Sequence, residues 1–139
     1  MRKILPIMVL VVLSCSRCRD RNQQGQVPYV PVNISINVNQ PDFFNLSVPT
    51  GWVYVTGGSR GIIIYRNSSD EFTALERHST YQPENECAVA VQEDGVLIKD
   101  PCSESRWLIH DGSIVDGPTS FPLIQYETSF QDPYLFITN

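Results

Sequence analysis

Residues 100–126 read DPCSESRWLIHDGSIVDGPTSFPLIQY, Asp100 to Tyr126. A tight polar loop holding Cys102, Ser103, Glu104 and Ser105 gives way to the short apolar run Trp107–Ile109. Asp111-Gly112 then turns the chain into Ser113–Val115, and Asp116-Gly117-Pro118 turns it out again toward Leu123–Tyr126. Runs of three to five β-favouring residues separated by Asp-Gly and Gly-Pro punctuation indicate strands and tight turns, not helices.

The same texture extends outward. Val32, Ile34, Ile36 and Val38 alternate with Asn33, Ser35, Asn37 and Asn39, the period-two pattern of a half-buried strand. Further β-rich runs are expected at Gly51–Val55, Gly61–Tyr65, Ala88–Val91, Val96–Lys99 and Tyr134–Thr138. Turn chemistry lies between them at Gly57-Gly58, Asn67-Ser68-Ser69-Asp70 and Asp94-Gly95. Only Pro41–Val48 could hold a helical turn. Ten prolines and the lack of an amphipathic helical period make the fold all-β, a small sandwich or pair of stacked sheets.

The N-terminus is of a different kind. MRKILPIMVLVVLSCSRC carries Arg2 and Lys3 ahead of the ten-residue apolar run Ile4–Leu13. A bilayer-spanning helix needs about 20 apolar residues, so this run suits a signal peptide. Val12-Leu13-Ser14-Cys15 resembles a bacterial lipobox, which makes Cys15 the expected lipidation site; an ordinary cleaved signal is the alternative. The expected division is a signal peptide over 1–14, a flexible lipidated tether over 15–30 and one β domain over 31–139. Loss of residues 1–14 removes two basic residues and no acidic one. The remaining 125 residues then carry eight basic against fifteen acidic side chains, net −7. So acidic a chain is not built for nucleic acid, which demands clustered Lys and Arg. Any membrane contact would run through lipid. The expected location is the bacterial cell envelope, outside the cytoplasm. The Asn-x-Ser/Thr triplets at Asn33, Asn45 and Asn67 are read as chance beside a lipobox.

Export also bears on the cysteines, because extracytoplasmic compartments permit disulfides. Cys87 and Cys102 remain inside the fold. If Val91 and Val96 pair around Gln92-Glu93-Asp94-Gly95, Cys87 falls opposite Asp100 and Cys102 lies two residues beyond, within reach of a bridge. Two free thiols or a metal pair are the alternatives. A bridge closing about 15 residues would contribute about 3 kcal/mol in the chain-entropy model.

From Gly51 to the C-terminus the chain resembles the Rieske [2Fe–2S] family, particularly small Rieske-like domains of bacterial lipoproteins. The matching features are Gly61-Ile62-Ile63-Ile64-Tyr65-Arg66, Phe72-Thr73-Ala74-Leu75 and the loop 100–107. Asp111-Gly112, Gly117-Pro118 and Phe121-Pro122-Leu123-Ile124-Gln125-Tyr126 complete them. The family carries its ligands as C-x-H and C-x-x-H, two thiolates for one iron and two imidazoles for the other. The resemblance implies stacked antiparallel sheets with a small ligand-loop subdomain. It places the ligand positions at Glu76, His78, Asp100 and Ser103, of which only His78 keeps the family's residue type. It also puts Cys102 in the slot of the cysteine that bridges the two loops in some members. The usual partner slot holds Tyr81, which leaves Cys87 as the available thiol.

No iron–sulfur cluster is therefore expected, since the ferric sulfide core needs soft anionic ligands. The alternative is a [2Fe–2S] or mononuclear-metal redox protein at the same loop tip. There Glu76, His78 and Asp100 could hold one divalent metal; otherwise they are loop residues tied by hydrogen bonds and an ion pair to Arg77 or Arg106. His110 reads as a solvated turn residue. Neither histidine has a nucleophile near it in sequence, and no G-x-S-x-G, P-loop or H-E-x-x-H motif is present, so an enzyme is not indicated. Trp52, Tyr54, Tyr65, Trp107, Tyr126 and Phe136 are expected mainly in the core. A structural or binding role follows, with an envelope protein as the possible partner besides the membrane.

Overall fold

The computed structural model describes residues 26–139. The expected signal peptide, Cys15, Cys18 and most of the expected tether lie outside the described residues. Among the described residues, ten strands form two antiparallel sheets: β1 Asn33–Asn37, β2 Trp52–Val55, β3 Ile62–Arg66, β4 Phe72–Glu76, β5 Ala90–Val91, β6 Leu97–Lys99, β7 Arg106–Leu108, β8 Ile114–Asp116, β9 Gln125–Gln131 and β10 Tyr134–Thr138. The larger sheet has the order β1-β10-β9-β4-β3-β2 and the smaller β5-β6-β7-β8. A 3₁₀ segment, Pro41–Ser47, occupies the stretch expected to hold a helical turn. The fold is all-β, as its alternation and turn chemistry require. No helix among the described residues is long and apolar enough to cross a membrane.

Side-chain alternation on the larger sheet builds two cores, one on each face. Ile62, Ile64, Phe72 and Ala74 point into the first, with Val32, Ile36, Val38, Leu46, Leu135 and Ile137. Ile63 and Leu75 point the other way, into a second core made with Val89, Ile98, Trp107, Ile109 and Leu123. Successive residues of a strand face opposite sides of its sheet. A strand covered on both sides therefore has no polar face, and all five residues of β4 are buried. The smaller sheet packs on the second core, and its loops meet the one that follows β4 of the larger sheet.

Three expectations need correction. The last pre-terminal strand runs over Gln125–Gln131, not Leu123–Tyr126, because its far half pairs with β10 from Glu127↔Thr138 to Gln131↔Tyr134. In the β5–β6 hairpin Val91 pairs with Ile98 and Ala90 with Lys99, not Val91 with Val96. The wider loop is closed by the Gln92 amide donating to the Leu97 carbonyl at 2.8 Å. The Asp94 carboxylate accepts from the amides of Val96 and Leu97 at 2.9 and 3.0 Å. Continuing that ladder sets Cys87 opposite Cys102 itself. Finally, Tyr54 and Phe136 are 40% and 37% exposed, so they are surface residues, whereas Trp107 and Tyr126 are buried.

Candidate functional site

The candidate site is the tip where the loops after β4, after β6 and after β8 meet. Residues 77–79 pair with 87–89 through the His78–Ala88 bridge. The Ser79 amide donates to the Cys87 carbonyl at 2.9 Å and the Val89 amide to the Arg77 carbonyl at 2.7 Å. The 87–102 disulfide, with its Cα atoms 6.3 Å apart, then ties this loop to the one after β6.

Glu76 ends β4 on the same face as Phe72 and Ala74 and is 1% exposed. Burying a carboxylate is costly unless hydrogen bonds replace its water. Four do so here. Oε1 accepts from the backbone amides of Arg60 and His78, each at 2.9 Å. Oε2 accepts from the Ser59 amide at 2.7 Å and the Tyr126 hydroxyl at 2.6 Å. Gly58 makes the approach possible: its φ of +60° suits glycine, and a Cβ there would collide with Glu76 Oε2 and stand 2.5 Å from the Tyr126 hydroxyl. Burial raises the Tyr126 phenol well above its ordinary pKa, and its hydrogen bond to the Glu76 carboxylate adds to the rise. The phenol stays protonated and donating.

His78, 1% exposed, has both ring nitrogens engaged. Nε2 lies 2.7 Å from the Pro83 carbonyl, which can only accept, so Nε2 carries a proton. In the neutral ring Nδ1 then accepts from the Ser59 hydroxyl at 2.8 Å. Sequence reading missed Ser59 altogether. Its place in the Gly57–Gly61 turn marks it as a turn residue, and nothing local announces a partner 19 residues away.

Asp100 is fully buried. Its Oδ2 accepts from the Ser79 and Ser103 hydroxyls, both at 2.7 Å, and its Oδ1 from the Cys102 amide at 2.9 Å. The expected ion pairs to Arg77 or Arg106 do not form. Arg77 lies 4.0 Å over the Tyr54 ring and donates to the Val89 carbonyl, while Arg106 pairs with Asp116. His110 sits exposed beside Asp111, 3.2 Å away. Gly117, at φ +96°, lets the exit of β8 pass within 2.5 Å (measured from the Cβ it lacks) of Ser105 Cα.

The two loops thus bring Glu76 to His78 and Asp100 to Ser103. Glu76, His78 and Asp100 do not converge on one point. Among the described residues, the group of three metal-capable side chains whose ligand atoms lie within 4.8 Å of one another is Cys87, Asp100 and Cys102. The residues at the four cluster positions do not fit a [2Fe–2S] centre: they offer two hard carboxylates, a hydroxyl and an imidazole already bonded on both sides. Soft thiolate donors are missing from all four.

What the fold and tip define is an all-β domain of two stacked antiparallel sheets whose loop junction is held by buried carboxylates and a disulfide. No family model and no curated protein matches the chain. Among solved structures, it is similar to the Escherichia coli protein NirD at 16% identity, over 81% of this chain and 96% of that one, with a TM-score of 0.45. It is similar also to a Mycobacterium tuberculosis protein described as a proposed NADH-dependent nitrite reductase small subunit. There the identity is 15%, the coverage 79% and 96%, and the TM-score 0.44. Likeness at this level carries nothing beyond general shape.

Proposed function

We propose that this chain is a Rieske-like scaffold in which a hydrogen-bonded carboxylate network takes the place of the iron–sulfur centre. It serves a structural or binding role in the bacterial cell envelope, anchored to a membrane through lipid on Cys15. The observation that carries the reading is the state of Glu76. All four of its acceptor positions are filled by donors of the surrounding loops and by Tyr126, so it works as an internal fastener, not as a waiting ligand. Asp100 ties the second loop to the first through three donors, the Ser79 and Ser103 hydroxyls on Oδ2 and the Cys102 amide on Oδ1. Electron transfer by a cluster needs ligands that this tip lacks. Function is read from the site and not from the fold it sits on.

The anchor is supported by Val12-Leu13-Ser14-Cys15 and by the polar stretch that follows it. Labelling of the full chain with palmitate in a bacterial host tests it: label should enter the protein and be lost in Cys15→Ala. Label that persists in that variant contradicts the anchor. The cluster-free scaffold is tested by iron and acid-labile sulfide analysis of anaerobically purified protein, for which neither is expected in stoichiometric amount.

A further inference from the structure

Cys87, Cys102 and Asp100 form a group whose two sulfurs the carboxylate-fastener role leaves unused. Their ligand atoms lie within 4.8 Å of one another, and Asp100 is buried while Cys102 is exposed and Cys87 half-buried. We propose that reduction of the Cys87–Cys102 disulfide opens a site for a thiophilic divalent cation, zinc or a close analogue, held by both thiolates and by Asp100 Oδ1. The disulfide is then a redox lock on a metal site that shares only Asp100 with the four cluster-like positions.

Three observations carry this. The first is donor geometry: the two sulfurs and a carboxylate oxygen are already gathered, and the Cα separation of 6.3 Å lets the freed side chains part without moving the backbone. Zinc takes sulfur at about 2.3 Å and oxygen at about 2.0–2.2 Å, so small side-chain rotations suffice. The second is the hydrogen bonding of Asp100. Oδ2 is held by the hydroxyls of Ser79 and Ser103, whereas Oδ1 accepts only the Cys102 amide and keeps a lone pair. This is how outer groups orient a metal-binding carboxylate. The third is charge. Asp100 is fully buried, and none of the ion pairs among the described residues reaches it. Two thiolates beside it would add negative charge that a dication neutralises. Exposure of Cys102 leaves the fourth position of a tetrahedron to water.

The chemistry balances with a dithiol as reductant. One thiolate of the dithiol attacks the exposed Cys102 sulfur, the S–S bond breaks and Cys87 leaves as a thiol. The second thiol then resolves the mixed disulfide, freeing Cys102 and leaving the reductant oxidised. Binding of the cation displaces the two thiol protons to solvent.

The test uses cobalt(II) as probe on the described domain carried in the full chain, compared in two redox states without mutation. Protein reduced by a phosphine and freed of it under argon should take up one cobalt per chain, with a thiolate-to-cobalt charge-transfer band that zinc abolishes. Oxidised protein should show no band. Cys102→Ser should abolish the band in reduced protein. Ser79→Ala should keep it but weaken affinity by about 10–100-fold, the usual cost of losing a ligand-orienting group. Reduced protein that stays folded without a band, that loses its fold on reduction, or whose cobalt binding survives Cys102→Ser overturns the proposal.

Discussion

Replacing Glu76 by glutamine keeps the volume and shape of the side chain and removes only its charge and one acceptor. The amide oxygen can still serve two of the four donors at this site. The NH₂ group then faces the other two, donor against donor, among the amides of Ser59, Arg60 and His78 and the Tyr126 hydroxyl. Hydrogen bonds to a charged group are each worth about 1.5–3 kcal/mol. Loss of two therefore costs about 3–6 kcal/mol, against a total stability of about 5–15 kcal/mol for a domain. For a domain of this size that lowers Tm by roughly 10–25 °C. Urea denaturation followed by tryptophan fluorescence measures it, because Trp107 is fully buried in the second core. Tyr126→Phe removes one of the four bonds and should cost about 1.5–3 kcal/mol. In a double-mutant cycle the two changes should couple, since they share an oxygen. A Glu76→Gln loss below about 1 kcal/mol would refute the claim that this carboxylate fastens the tip.

Other outcomes follow from the same geometry. With its folded-state pKa raised above the unfolded value, Tyr126 lends stability that is fully present below the ordinary phenol pKa near 10 and is lost as pH rises through the folded value. The difference between the alkaline ultraviolet titrations of the parent chain and Tyr126→Phe should accordingly show no ionisation near pH 10; a normal phenol step there counts against the buried hydrogen bond. Trp107→Ala should cost about 3–5 kcal/mol, as it empties the centre of the second core and strips a donor from the Phe121 carbonyl, 3.0 Å away. Reducing the Cys87–Cys102 bridge, which closes a loop of 15 residues, should lower stability by about 3 kcal/mol; an unchanged urea midpoint would show that the loops hold without it.

Much of the framework was legible because burial writes itself into alternation and turns into Gly and Asp. Val32–Val38 announced β1 by period two, and the Asp-Gly turns marked the bounds of β6–β8. β4 was harder. Its five buried residues, including Glu76, are covered on both faces, so no polar alternation survives to define it. The second half of β9, Glu127–Gln131, is rich in polar residues and shows as a strand only through its pairing with β10. The hairpin register was ambiguous for a further reason. A shift of two leaves every side chain on the same face. The choice fell to the Asp94 carboxylate and the Gln92–Leu97 closure. The disulfide was readable from the expected compartment and the hairpin geometry, and the true register fits it better than the expected one did. That Glu76 would be tied by hydrogen bonds was open to the sequence, but its donors were not, since they come from residues 59, 60, 78 and 126 and assemble only in three dimensions.

Iron and acid-labile sulfide analysis of the anaerobically purified chain, with an EPR spectrum after dithionite reduction, bears most directly on the loss of the cluster. Colourless protein with neither element in stoichiometric amount and no reduced-state signal is expected. Two irons and two labile sulfides per chain with a rhombic reduced-state signal would contradict it.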